Sequence, residues 1–140
     1  MPSVSFHSEQ TDFSITNESR IVDWLTNVCR QEGKNLDEIS LIFCSDDYLL
    51  LVNQKHLKHD YYTDVITFDY SEGLEVSGDI FISIERVAEN AQELNVNMID
   101  ELHRIIVHGT LHLIGYTDKE ASAKQQMTAK EDFYLSLRAF

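Results

Sequence analysis

Two histidines and one aspartate near the C-terminal third of the chain have the types and spacing of metal ligands. They lie in the segment His108-Gly109-Thr110-Leu111-His112-Leu113-Ile114-Gly115-Tyr116-Thr117-Asp118. On a helix, residues four apart leave the same face one turn apart, so His108 and His112 can point at one spot. Two imidazole nitrogens so placed can each reach a metal ion at about 2.0–2.1 Å. Gly115 can end such a helix in a left-handed conformation and turn the chain back. Asp118, six residues after His112, could then return as a third ligand. Three protein ligands and one open position make a catalytic rather than a structural metal site. Pairs of histidines at this spacing also occur by chance on helices that bind nothing. Gly109 argues against chance: glycine in mid-helix costs roughly 1 kcal/mol against alanine, which implies that another backbone or a ligand approaches closely. The surrounding Ile105, Ile106, Val107, Leu111, Leu113 and Ile114 would bury much of the helix, where an unpartnered imidazole is expensive. Gly109 also stands where a zinc peptidase of the H-E-x-x-H type carries its glutamate base, so that chemistry is excluded.

These residues need a helix to carry them and a scaffold to seat it. Apolar positions recur at helical spacing from Ser14 to Gln31, with Thr16 or Asn17 as the cap and Gly33 beyond the end. Further helices are expected after Ser45-Asp46-Asp47, over Ile84 to Leu94, from an Asn97 cap to Gly115, and from about Glu120 to Leu137. Strands are expected at Val4–His7, Glu38–Ser45, Asp64–Tyr70 and Asp79–Ser83. Four strands with helices inserted and appended make an α/β or α+β sandwich.

The chain has 140 residues, 43% of them apolar and 25% charged, which predicts one globular domain spanning 1–140. No apolar run approaches the roughly 20 residues that span a bilayer, so no membrane partner is expected. The N-terminus has no basic stretch ahead of an apolar core, which reads as the absence of a signal peptide. Cys29 and Cys44 sit in apolar surroundings as free thiols of a reducing compartment, and a cytoplasmic location follows. Eleven basic against 24 acidic residues give a net charge of −13, without the basic footprint of a nucleic-acid binder. A polyanionic substrate would have to be met by a local basic patch or a bound cation.

The segment HGTLHLIGYTD resembles the metal motif H-G-x-L-H-L-x-G-Y-D-H of the YbeY family of bacterial endoribonucleases. Thr63-Asp64-Val65-Ile66-Thr67-Phe68 resembles that family's T-D-V-L-S-F strand, and Gly78-Asp79-Ile80-Phe81-Ile82-Ser83 its G-D-I-x-I-S strand. The resemblance runs from about Leu41 to the end of the chain. It implies a zincin-like fold, with a small, mostly parallel four-stranded sheet packed by about five helices. It also implies metal-dependent cleavage of single-stranded RNA, in the 3′-end maturation of 16S ribosomal RNA and in ribosome quality control. The implied partners are single-stranded rRNA, the small ribosomal subunit with its proteins, and a ribosome-assembly GTPase. His108 and His112 carry over as ligands to one Zn²⁺ per chain.

Two positions depart from the family pattern. Asp118 stands where the family has its third histidine, and Thr117 where it has the preceding aspartate. A carboxylate in place of imidazole lowers the charge of the loaded site from about +2 to about +1, weakening the ion as a Lewis acid. His₂-carboxylate sites hold zinc but also suit another divalent metal such as Fe(II) or Mn(II). Leu57 occupies the position of a family arginine that meets RNA phosphate. The adjacent cluster of Lys55, His56, Lys58 and His59 is expected to substitute for it, or else to be a solvated helix end. Glu101, seven residues before His108 on the same helical face, could be a general base or a partner to a ligand, or simply an acid favoured near a helix N-terminus. The alternative to the nuclease is a ribosome-assembly or interaction protein of the same fold, weakly catalytic or not at all, with a structural metal.

Overall fold

The computed structural model describes residues 2–140. In chain order the elements are β1 (Ser3–Glu9), α1 (Glu18–Gln31), β2 (Asn35–Cys44), α2 (Asp46–Leu57), β3 (Val65–Asp69), β4 (Glu75–Ser83), α3 (Ile84–Leu94), α4 (Met98–Ile114) and α5 (Ala121–Ser136). The strands form one sheet in the order β1-β2-β4-β3, parallel except for β3, which runs antiparallel to β4. This is the α+β arrangement of five helices and a mostly parallel four-stranded sheet that the sequence led us to expect.

The central strands explain the layering. Ile39, Leu41 and Phe43 of β2 and Val76, Ile80 and Ile82 of β4 point to one face, where Leu25 and Val28 of α1 and Ile106 and Leu111 of α4 cover them. The opposite face carries a smaller core of Cys44, Leu49, Val52 and Ile66 beneath α2. A strand buried on both faces reads as a continuous apolar run, which is why Leu41–Cys44 lacks alternation. Cys29 and Cys44 are buried free thiols in different clusters, and burial pushes both up to about 12.

Polar caps mark several helix starts where expected. Ser45 accepts the Tyr48 N–H, Ser83 the Arg86 N–H and Asn97 the Ile99 N–H. Helix α1 departs from expectation: it begins at Glu18 rather than near Ser14, and neither Thr16 nor Asn17 supplies a side-chain cap. Asn17 instead turns the chain through a left-handed backbone, φ +64°, a conformation asparagine tolerates. Strands β2 and β4 also begin earlier than expected, because Asn35 and Glu75 already pair across the sheet although their charged and polar neighbours hide the strand signal.

Two glycines seat α4 on the sheet. A Cβ at Gly78 of β4 would lie 2.5 Å from the Phe68 carbonyl oxygen and 2.7 Å from Leu113 of α4. A Cβ at Gly109 would meet Ile80 Cγ2 at 2.8 Å, so what approaches Gly109 is a core side chain, not the backbone or ligand the sequence suggested. The obstruction at Gly78 is backbone and cannot step aside. Gly78→Ala is therefore expected to lose about 2–3 kcal/mol by overpacking. Gly109→Ala, which gains about 1 kcal/mol of helix propensity against its clash, should stay within about 1–2 kcal/mol of wild type. Urea unfolding of both variants checks the order.

At the far side of α4, His103 is buried between Trp24 and Phe140, with ring centroids 5.9 and 5.1 Å away, and the Arg138 guanidinium donates to its Nδ1 at 2.8 Å. Burial and the Arg138 charge hold its pKa down to about 4, with Asp100 opposing. The unfolded chain then takes a proton that the folded chain refuses. This contribution to stability is complete above about pH 6.5 and is lost as pH falls towards about 4. Urea midpoints measured at pH 7 and pH 4.5 should fall further for wild type than for His103→Phe, which keeps the aromatic packing but cannot titrate.

Candidate metal centre

Helix α4 presents His108 and His112 on one face, one turn apart, with Nε2 atoms 3.1 Å from each other. Gly115 ends the helix at φ +126°, and the N–H of Tyr116 returns to the Leu111 carbonyl at 3.0 Å, so the chain doubles back. That turn delivers Asp118, whose Oδ2 lies 3.4 Å from both Nε2 atoms. The three atoms form a nearly equilateral triangle. A tetrahedral ion with ligands at about 2.0–2.1 Å requires edges of about 3.3–3.4 Å, so the triangle fits three corners of such a site. His108, His112 and Asp118 could together hold one metal ion. Their side chains are 19%, 25% and 38% exposed, which leaves the fourth corner open to solvent.

The other ring nitrogens decide how these imidazoles can act. His108 Nδ1 lies 2.6 Å from Glu131 Oε2, and His112 Nδ1 lies 3.0 Å from the Tyr116 carbonyl oxygen. Both partners are acceptors, so each Nδ1 carries a proton and, in the neutral ring, each Nε2 presents a bare lone pair. Two lone pairs converging at 3.1 Å suit a cation between them. Burial disfavours a charged His108, yet the Glu131 carboxylate, with Asp118 and Asp64 nearby, outweighs it and raises its pKa above the ordinary histidine value. Metal and proton therefore compete for the same nitrogen.

Glu131 is a residue that the sequence reading missed. It lies on α5, 23 residues after His108, and its side chain is only 8% exposed. Arg104 of α4 donates to its other oxygen at 2.8 Å and to Asp132 at 2.5 Å, fixing the carboxylate. A signal existed: Met127, Glu131 and Tyr134 are the buried positions of α5, so a carboxylate occupies the middle of an apolar stripe. Glu101 is buried on α4, where burial and the charges of Asp64 and Glu131 raise its pKa against Arg104. It makes no hydrogen bond to either ligand histidine among the described residues, and the place of partner to a ligand belongs to Glu131 instead.

Asp64, just before β3, accepts from Asn90 of α3 at 3.1 Å, and Asp69 caps the turn by accepting the Ser71 N–H at 2.9 Å. Lys55, Lys58 and His59 are exposed at the end of α2. Lys58 closes that helix with a left-handed backbone, φ +57°, and His59 stacks on Tyr61 with centroids 5.2 Å apart. Among the described residues no hydrogen bond or ion pair joins them to the metal-centre residues, and neither lysine forms an ion pair. On the sheet face opposite α4, a cleft of about 600 Å³ is lined by Asp37, Glu38, Glu72, Glu75 and Asp79 among others, and repels anions.

The family described as Endoribonuclease YbeY matches residues 4–138 of the chain. This protein belongs to the YbeY family. The Endoribonuclease YbeY of Cytophaga hutchinsonii is 49% identical over 138 residues, covering 98% of this chain and 96% of its own. That of Flavobacterium johnsoniae is 48% identical over 129 residues, covering 92% of each. The solution structure of TM1509 from Thermotoga maritima superposes with a TM-score of 0.65 at 25% identity, over 96% of this chain and 87% of that one. In this chain the third corner of the candidate metal site is a carboxylate, and a buried carboxylate on α5 backs its first histidine.

Removing an outer partner of a ligand histidine typically weakens metal binding about 10–100-fold. Glu131→Gln is expected to fall in that range, and Asp118→Ala to lose more. Competition with a chromogenic chelator, on protein purified without a histidine tag, measures both.

Proposed function

We propose that the chain is a metal-dependent endoribonuclease that cuts single-stranded RNA, with one Zn²⁺ held by His108, His112 and Asp118. The observation that carries this reading is the triangle of two lone pairs and one carboxylate oxygen, with edges of 3.1–3.4 Å. Family membership supplies the substrate class. A divalent ion in such a site polarises a phosphoryl oxygen and acidifies water. The chain's own residues do the rest. Glu131 and the Tyr116 carbonyl hold the Nδ1 protons, which keeps both Nε2 atoms aimed at the ion. Lys55, Lys58 and His59 contact RNA phosphates in place of the family arginine. Glu101, whose carboxyl is held above its ordinary range by burial, takes or returns a proton during phosphodiester cleavage.

We place this activity in the cytoplasm, in maturation of the 16S rRNA 3′ end and in ribosome quality control. Its partners in this reading are the small subunit with its proteins and a ribosome-assembly GTPase. No helix of the described residues is long and apolar enough to cross a membrane. The net charge of −13 suits docking against basic ribosomal proteins. Zinc is the metal favoured by two imidazoles in a tetrahedral triangle, while the Asp118 oxygen admits Fe(II) or Mn(II). Asp118 and Leu57, at positions where the family carries histidine and arginine, favour a second reading: an assembly factor of the same fold whose metal is structural.

A labelled single-stranded RNA incubated with wild type and His112→Ala separates the two. The nuclease reading expects metal-dependent cleavage that falls at least about 100-fold in the variant, the scale on which losing transition-state stabilisation shows in rate. Equal residual cleavage by both proteins, with metal still bound by wild type, favours the assembly factor.

A further inference from the structure

The carbonyl that fixes His112 belongs to a residue that is itself clamped. Tyr116 donates its backbone N–H to Leu111, accepts the His112 Nδ1 proton at its carbonyl, and donates its phenol to Glu32 Oε1 at 2.6 Å. Glu32 is the residue directly after α1, 84 positions away in sequence from Tyr116, and its side chain is only 10% exposed. A second phenol, Tyr134 of α5, donates to Glu32 Oε2, and Lys130 Nζ reaches the same oxygen at 3.1 Å. The Lys130 ammonium also lies over the Tyr116 ring, 5.8 Å from its centroid. One nearly buried carboxylate thus joins the end of α1, the turn after α4 and helix α5. Burial alone would raise its pKa, and the three donors more than offset that, keeping it charged.

Nothing in the packing of the main core requires this charge, since a carboxylate with three donors could be replaced by apolar groups of similar shape. Its position is better explained by what it holds. Tyr116 lies two residues before Asp118 and directly opposite His112, so a shift of its backbone moves one ligand and releases the tautomer of another. We infer that Glu32 is a positioning residue of the metal centre, acting through the phenol and backbone of Tyr116 on His112 and Asp118. The inference rests on the reading of His108, His112 and Asp118 as metal ligands.

The test is Zn²⁺ affinity, by chelator competition on the apo protein, together with urea unfolding of the same apo samples. Tyr116→Phe removes only the hydroxyl, and Glu32→Ala removes the whole clamp. Both are expected to weaken zinc by roughly three- to tenfold, below the roughly 10–100-fold of a direct partner. Glu32→Gln, whose amide oxygen can still accept the Tyr116 phenol, should recover part of the Glu32→Ala loss. Tyr134→Phe breaks a bond to the same carboxylate away from the metal turn, and should lower the urea midpoint while leaving zinc affinity within about twofold. The double variant Glu32→Ala, Tyr116→Phe should bind no more weakly than the worse single variant, as residues of one unit do. In ¹⁵N–¹H spectra of the apo protein, the His112 ring should be the Nδ1–H tautomer in wild type and a mixture in Glu32→Ala. Zinc affinity within about twofold of wild type in both Tyr116→Phe and Glu32→Ala, with only the urea midpoints shifted, would overturn the inference and leave a structural cluster. Failure of wild type itself to bind zinc would overturn the metal-centre reading and this inference with it.

Discussion

Two imidazole nitrogens on neighbouring turns of α4 face each other at 3.1 Å, and in the neutral rings neither has a proton to put between them, because each ring's proton is held on the other side. Such an arrangement is costly unless a cation occupies the gap, so it has to be imposed from outside the helix. Glu131 imposes it on His108 and is itself gripped by Arg104. The Tyr116 carbonyl imposes it on His112, and Glu32 grips Tyr116. The two constraints come from different elements and converge on α5, where Lys130 and Glu131 are adjacent in sequence. The last helix is therefore more than a cover for the core. It supplies one carboxylate to the site and one ammonium to the clamp behind it.

The seat of α4 depends in turn on the sheet. Gly78 lets Leu113 and the Phe68 carbonyl close on β4, and Gly109 lets Ile80 into the helix surface. With residues 109 and 113 against the sheet, positions 108 and 112 are left half-buried beside it, open enough for a fourth ligand and shielded enough for electrostatics to be strong. A bulkier residue at either glycine would lift the helix and change that balance before it touched the ligands.

Charge is distributed with a similar economy. Arg86, Arg104, Lys130 and Arg138 are all engaged in ion pairs with carboxylates, while Lys55 and Lys58 at the end of α2 are not. In a chain of net charge −13 a polyanion is repelled on average, and a bound divalent ion would be a strong local attraction. The cleft on the opposite sheet face is lined by carboxylates and offers no such attraction.

Much of this protein was legible before any fold was known. The spacing of His108 and His112, the helix stop at Gly115 and the return of Asp118 are local features, set by helical periodicity and glycine's backbone freedom, and the structure brings the three side chains together as that reading anticipated. Strand and helix types followed from apolar periodicity, and the strand starts were missed only where polar residues pair at the rim of the sheet. What remained hidden was every contact that needs two distant segments to meet. Glu32 looks like an ordinary surface acid in one dimension, Glu131 shows only as an acid within an apolar stripe with no partner named, and Gly109 looks like room for a ligand. Only packing of α5 and α1 against α4 turns the first two into buried acceptors with defined donors, and only the register of β4 puts Ile80 over the third. The sequence alone determined which atoms could bind a metal, because ligand chemistry and helical spacing are local. Tertiary structure decided which way those atoms point, because a histidine's tautomer is set by whatever meets its other nitrogen.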